Sequence, residues 1–419
     1  MNRPLTVAVA GCGSRGQDTY TKILLEMPEK AKIVAAADIN PEKLEGMRKL
    51  TGIPESACYA SAEEMLAQPR LADLMLICTP DRCHYSQAKA ALLLDYDLLL
   101  EKPIAPTADQ CSELRDIANE RGRKVAVCHV LRYTVFYQKI RELIASGIIG
   151  DVMNMQAIEQ VCYWHQAHSF VRGNWRNEGL SSCMILQKCC HDMDILLWLC
   201  GKHCKRVSSF GSLSHFREDR APEGSGTRCM DCGIAETCPY NAVRFYLDEF
   251  HRTGDEWPQN VVAFEPTEEK LLAALKDGPY GRCVYHCDND VVDHQVVNLE
   301  LEDGATVNFT MTAFTAHGGR TLRVGGTMGE LYCDMKANTI RVMPYGKEDE
   351  VIDVRKLASD FSGHGGGDAR MVREFVDLVR GETGISSTMT SIDRSVESHL
   401  VALAAEESRL HGGEMIELA

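Results

Sequence analysis

Gly11, Gly13 and Gly16 stand in the run Val7-Ala8-Val9-Ala10-Gly11-Cys12-Gly13-Ser14-Arg15-Gly16, and no other feature constrains the fold so much. In a G-x-G-x-x-G run the first glycine permits a tight turn after a buried strand. The second lets backbone amides approach a pyrophosphate, and the third lets the next helix pack close with its N-terminal amides on the phosphates. The context agrees. Thr6 to Ala10 reads as a short buried strand, Gln17 to Glu26 as a helix, and a second apolar strand, Ile33 to Ala37, ends at Asp38. Asp38 lies 22 residues beyond Gly16, where a carboxylate meets the ribose hydroxyls of a bound dinucleotide. A carboxylate there repels a 2′-phosphate and favours NAD over NADP. Ser14 and Arg15 belong to the same phosphate-binding turn.

The strand–helix alternation continues. Leu74 to Cys78 is a buried strand ending in Thr79-Pro80-Asp81, and His84 to Leu94 suits a helix. Leu98 to Leu100 leads into Glu101-Lys102-Pro103, which sets a lysine where a cofactor's reactive ring would lie. Ala108 to Arg121 reads as a helix and Lys124 to Val130 as the next strand. This is the grammar of a doubly wound parallel α/β sheet. After Gly150 the pattern changes to long alternating strands (Val152 to Val161, Val296 to Leu301, Ala305 to Ala313, Thr321 to Gly325, Thr339 to Pro344), as expected of a large open, mainly antiparallel sheet with helices on one face. Residues 215–290, rich in Gly, Pro, charge and Cys, read as an insertion in it. Asp368 to Gly381 and Ile392 to Leu410 read as helices.

A chain of 419 residues exceeds one ordinary core. The expected division is 1–128 for dinucleotide binding, 129–367 for the substrate and sheet domain, and 368–419 for C-terminal helices. A net charge of −15 argues against nucleic acid or an anionic membrane as partner. No run is apolar enough to span a bilayer and no signal peptide is visible, so a cytoplasmic location is expected. The 18 cysteines, scattered through a large chain, are expected to be mostly reduced thiols.

Two segments carry further chemistry. Tyr163, Trp164, His165, His168, Arg172, Trp175 and Arg176 follow the first strand of the second sheet and mix aromatic faces with polar groups, as sugar sites do; the same composition suits a subunit interface. Asp293 with His294, and the run His364-Gly365-Gly366-Gly367-Asp368, are further candidates, although Asp368 also suits a helix cap. In the insertion, Cys229 and Cys232 form a C-x2-C knuckle with Cys238 beyond it. Together with Cys283 or Cys287 they predict a structural zinc stapling a segment with little core of its own.

On the glycine turn, Asp38, Thr79-Pro80 with His84, Glu101-Lys102-Pro103 and His191-Asp192-Met193-Asp194, the chain resembles the glucose–fructose oxidoreductase / inositol dehydrogenase (Gfo/Idh/MocA) family over nearly its whole length. The resemblance implies a Rossmann domain joined to an open-sheet domain, NAD as cofactor, and a sugar or cyclitol carbon as the site of reaction. It implies that Thr79, Pro80, His84, Glu101 and Lys102 line the cofactor. It also implies that Lys102 touches the nicotinamide region and the substrate hydroxyl, and that His191 serves or assists as proton acceptor. The chain departs from the family at Gln187, where its dehydrogenases usually carry an aspartate, and Lys188 follows. The acid/base role then falls to Lys102, His191 or Lys188. Three readings remain. One is net oxidation of a sugar, glycoside or cyclitol. Another is redox-neutral glycoside hydrolysis through a transient 3-keto sugar. The last is a non-catalytic NAD or sugar sensor. A homo-oligomer joined through the open sheet is expected.

Overall fold

The computed structural model describes residues 3–254 and 256–418; Met1, Asn2 and Ala419 of the expected terminal divisions lie outside them. The first sheet is built from β1 (Leu5–Ala10), β2 (Ala31–Ala37), β3 (Cys58–Tyr59), β4 (Leu74–Ile77), β5 (Asp97–Leu100) and β6 (Val125–Val127). All pairings are parallel, in the order β3-β2-β1-β4-β5-β6. Strand order reverses between β1 and β4, so the turns after these two strands open a crevice at their carboxyl ends. Alternate residues of β1 explain its apolar run. Val7 and Val9 join a core that Met371, Val372 and Phe375 complete from the helix Ser362–Arg380, while Ala8 and Ala10 face a second core with Ile77, Leu98 and Ile392. A parallel sheet buried on both faces needs apolar side chains in both registers.

Two segments depart from the sequence reading. The helix after the glycine turn starts as a π-helix, Ser14–Thr21, before the α-turn Lys22–Leu25. Thr19 Oγ1 donates to the Ser14 carbonyl at 3.1 Å inside it. The apolar run from Lys124 to Val130 pairs only over Val125–Val127, then winds into a 3-10 turn, Val130–Tyr133. This turn carries His129 and Arg132 off the sheet toward the second layer, where Arg132 meets the buried Asp194 through two bonds of 2.7 and 2.6 Å.

The second sheet comprises β7 (Val152–Gln160), β8 (Cys204–Ser212), β9 (His294–Leu301), β10 (Thr306–Thr312), β11 (Gly319–Gly326), β12 (Gly329–Asp334), β13 (Thr339–Pro344), β14 (Glu350–Asp353) and β15 (Ile416–Glu417), in the order β14-β13-β12-β11-β7-β10-β9-β8-β15. Only β7 and β10 run parallel. One face packs Met155, Val297, Phe309 and Val324 against Met193 and Leu196 of the helix Cys190–Cys200 and Val401 of the helix Ile392–Leu410. The other leaves Met153, Ile158, Phe210 and Tyr332 exposed. Among the described residues no helix is long and apolar enough to cross a membrane.

The segment 215–290 folds onto the rest through two small apolar clusters. One groups Phe216, Cys283, Val284 and Tyr285 with Ala167 and Val171; the other groups Cys229, Ala242, Tyr246 and Leu275.

Candidate active site

The glycine turn has the shape its sequence requires. Gly11 has φ +91°, and a Cβ there would lie 2.6 Å from the Cys78 carbonyl oxygen; a Cβ on Gly16 would lie 1.9 Å from the Gly11 carbonyl oxygen. Only glycine lets the turn, β4 and the following helix come this close. Gly13 instead opens onto space, with Lys43 Nζ of the helix Pro41–Thr51 as the atom nearest a Cβ there, at 3.9 Å. Asp38 is aimed by its backbone neighbours: Oδ2 accepts from Cys12 N at 2.7 Å and Oδ1 from Asn40 N at 2.8 Å. Lys43 was not singled out from the sequence, because helical spacing alone does not show that it reaches back over the turn.

The candidates around the strand ends fall into two groups. Thr79 Oγ1 donates to Gln87 at 2.6 Å, and His84 lies between two carbonyls, 2.8 Å from that of Thr79 and 2.7 Å from that of Pro103. His84 therefore staples the turns after β4 and β5 together. Glu101 is buried and accepts from Arg15 Nε at 2.7 Å and from Tyr20 at 2.6 Å. Burial pushes its carboxyl up, but Arg15, Lys102 and Tyr20 outweigh this and hold it below the ordinary carboxylate range. Arg15 continues to Asp368 at 2.6 Å, and His364 lies 2.8 Å from the same carboxylate. Asp368 is thus engaged as the partner of Arg15, which joins the glycine turn to the C-terminal helix.

Lys102 extends from the end of β5 across the crevice. Its ammonium donates to the Gln187 carbonyl at 2.7 Å and lies 5.7 Å from the centre of the Trp175 ring. Gln187 ends the helix Met184–Gln187, and His191 lies in the first turn of the next, Cys190–Cys200. Burial first, then Lys102 and His129, push the His191 imidazole well below its usual pKa, so it stands neutral at neutral pH. Neither Nδ1 of His191 nor Oε1 of Gln187 has a hydrogen-bond partner among the described residues.

Lys188 points to charges that the sequence reading passed over. Its Nζ lies 3.4 Å from Glu159 Oε1. Glu159 on β7 stands opposite Arg320 on β11, with Arg320 Nη2 at 2.8 Å from Oε2 and Nε at 2.7 Å from Asp192 Oδ1. Burial raises the Asp192 carboxyl and Arg320 opposes it. A signal was available: Glu159 occupies the buried register of β7 shared by Met155 and Ala157, and a carboxylate in such a register needs a cationic partner.

The aromatic segment divides. Tyr163, Trp164, His165 and Trp175 are half-buried, and His165, lowered by burial, also feels Lys188, Arg320 and Lys102. By contrast His168 bonds Tyr246 at 2.6 Å, Arg172 donates to the carbonyls of Arg282 and Tyr240 at 2.7 Å, and Arg176 pairs with Asp288 at 2.8 Å. These three hold the insertion in place. Asp293 accepts from the amides of Ser214 and His215 at 2.9 and 2.7 Å, and His294 lies 2.7 Å from it, so this pair fixes a turn after β8.

The expected zinc set is corrected by the arrangement. Among the described residues no group of three or more His, Cys, Asp or Glu is placed to hold a metal ion, and all 18 cysteines are free. Cys229 Sγ receives Arg172 Nη2 at 3.5 Å, Cys232 Sγ accepts from Gly226 N at 3.4 Å, and Cys287 Sγ turns to the Cys283 carbonyl at 3.2 Å. Burial raises the thiols of Cys238 and Cys283. The two apolar clusters and the Arg172 bonds tie the insertion to the rest of the chain.

Comparison with known proteins agrees with this fold. Residues 5–129 match the Gfo/Idh/MocA oxidoreductase family, NAD-binding Rossmann fold, and residues 137–235 match its C-terminal domain. The protein YteT of Bacillus subtilis, which carries an oxidoreductase name, is 23% identical over 395 residues, covering 88% of this chain and 87% of its own. Inositol 2-dehydrogenase of Azotobacter vinelandii is 24% identical over 246 residues, covering 56% of this chain and 68% of its own. The crystal structure of the WlbA dehydrogenase from Bordetella pertussis, in complex with NADH and UDP-GlcNAcA, superposes with a TM-score of 0.71 at 17% identity, covering 100% of this chain and 99% of its own.

Proposed function

The chain belongs to the Gfo/Idh/MocA oxidoreductase family, and on that footing we propose that it oxidises a carbinol carbon of a sugar, glycoside or cyclitol by hydride transfer to NAD. The residues at the crevice fit that cofactor: Gly11 and Gly16 leave no room for a Cβ, Gly13 opens beside Lys43, and Asp38 is aimed by two amides. NAD, when bound, supplies the hydride acceptor. The chain's own residues handle the hydroxyl. Lys102 spends one N–H on the Gln187 carbonyl and keeps the others for a substrate oxygen. His191, neutral and beside it, is the proton acceptor, with Lys188 held near by Glu159. Trp175 offers a flat face next to the ammonium. The observation that carries the reading is the reach of Lys102 from the parallel sheet to the turn just before the His191 helix. Its test is formation of reduced nicotinamide, followed by absorbance, with a panel of cyclitols, free sugars and methyl glycosides. A wild-type protein that loads with NAD and reduces it with none of them overturns the reading.

Redox-neutral glycoside hydrolysis is the second reading, favoured by one feature. Phe264 of the insertion comes within 3.7 Å of where a Cβ on Gly46 would lie, and Trp257 stacks edge-on to His165 at 5.0 Å. The insertion thereby touches both the helix that follows Asp38 and the aromatic segment, a placement that would slow cofactor exchange. Nitrophenyl glycosides in deuterated water separate the two. Deuterium at C2 of the released sugar without accumulated reduced nicotinamide supports hydrolysis; stoichiometric reduced nicotinamide with an oxidised sugar supports net oxidation. A catalytically silent sensor would turn over in neither assay. We also infer that copies associate through the exposed apolar face of the second sheet, around Met153, Ile158 and Tyr332; the mass in solution by light scattering tests this.

A further inference from the structure

Three of the chain's four tryptophans lie along one array that starts at Lys102. The Lys102 ammonium lies 5.7 Å from the Trp175 ring. Trp175 stacks on Phe170 at 5.7 Å, and Phe170 contacts His165 at 6.0 Å. His165 is stacked on Trp164 at 5.6 Å and meets Trp257 edge-on at 5.0 Å. Trp164 in turn touches Trp257 at 5.4 Å and stacks on Phe245 of the insertion at 5.2 Å. Four successive contacts, through Trp175, Phe170 and His165, lead from the Lys102 ammonium to the Trp257 ring.

These indoles are not ordinary core. Trp198, the fourth tryptophan, donates its N–H to the Ser387 carbonyl at 3.0 Å. Among the described residues, no hydrogen bond is formed by the indole N–H of Trp164, Trp175 or Trp257. Trp257 is 40% exposed. The rings around Trp257 meet it only tilted or edge-on, and an exposed indole with its donor unpaired suits a ring carrying hydroxyls, which presents an apolar face and polar edges. Trp257 is also held rather than loose: His168 packs edge-on to it at 5.4 Å, and Phe264 beyond it anchors on Gly46.

We propose that Trp164 and Trp257 form a second ring subsite, so that the substrate is a glycoside of at least two rings with its reacting ring at Lys102 and its neighbouring ring on Trp257. This rests on the reading of Lys102 and His191 as the hydride-transfer end of the site. It assigns to the insertion a role in choosing the substrate.

The test is calorimetric titration of the NAD-loaded full-length protein with methyl β-glucoside, phenyl β-glucoside and cellobiose, and with the galacto and manno counterparts. For the hexose the site accepts, the two-ring compounds bind about tenfold tighter than the methyl glycoside. Trp257→Ala removes that difference while leaving the methyl glycoside and NAD affinities unchanged, and Trp257→Phe, which keeps a ring, restores most of it. Equal binding of one-ring and two-ring compounds by the wild type overturns the proposal. So does a Trp257→Ala protein that loses affinity for both alike, or that binds NAD more weakly, and so does failure of every glycoside to bind. Binding that follows the expected order without any reduction of NAD would strike instead at the catalytic reading of Lys102 and His191.

Discussion

Lys102 Nζ donates to the backbone carbonyl of Gln187 at 2.7 Å, so the cation of the first sheet is tied to the main chain at the position where the family resemblance leads to the expectation of an acid. A backbone carbonyl takes no proton and carries no net charge. It orients the ammonium without neutralising it, which leaves the charge of Lys102 to act on the neighbouring His191 and, on the proposed reading, on a substrate hydroxyl.

Lys102→Ala is expected to lower turnover by about 10²–10⁴-fold, the usual cost of losing a positioned acid/base group. NAD affinity should change by no more than a few-fold. Steady-state kinetics with calorimetry of NAD binding checks both; near-normal turnover assigns Lys102 a purely structural role.

NAD is expected to bind more tightly than NADP, because the aimed carboxylate of Asp38 accepts from ribose hydroxyls and repels a 2′-phosphate. Asp38→Ala should weaken NAD about tenfold or more, the worth of hydrogen bonds to a charged group, and narrow the gap to NADP. Equal affinities of the wild type for the two would be incompatible with this role.

Arg320→Leu is expected to destabilise the fold by about 3–5 kcal/mol, because it leaves Glu159 and Asp192 buried without their shared cation. Urea unfolding measures the loss. A double variant, Glu159→Gln with Arg320→Leu, should recover part of it, since the uncompensated charge falls.

Acid should destabilise the protein through histidines that burial keeps neutral. The pKa of His168 and of His399 is pushed down to about 3, in both chiefly by burial, and that of His129 also lies well below 6.5. Unfolded, each takes up a proton near pH 6.5. Between these values the unfolded state binds more protons, so this stability is complete above about pH 6.5 and is lost as pH falls. Each histidine contributes a slope of about 1.4 kcal/mol per pH unit. Urea midpoints across this range should fall steadily with acid and flatten in a His168→Phe, His399→Phe double variant.

Arg172→Ala should loosen the insertion without unfolding the two sheets, since Arg172 donates to the carbonyls of Tyr240 and Arg282 on its two sides. Limited proteolysis should then cut within 215–290 first, while the main thermal transition shifts little.

Much of this was legible in the sequence because it depends on neighbours along the chain. The glycine turn, the apolar runs of β1, β2 and β4, Asp38 at the end of β2 and Lys102 at the end of β5 are local patterns with local physical causes: a turn that admits no Cβ, and strands buried on both faces. The tertiary structure decided what long-range packing decides. Nothing in the spacing told that Glu159 would face Arg320 across two strands, that Lys43 would reach back over Gly13, or that Arg15 would pair with Asp368 at the far end of the chain. The cysteine segment shows the same limit: a C-x2-C spacing sets Cys229 and Cys232 near each other in sequence, but does not tell that Cys229 meets Arg172 while Cys232 accepts from Gly226 N. Partners of a buried charge are set by which strands and helices meet, and that information lies in the fold as a whole rather than in any segment of the chain.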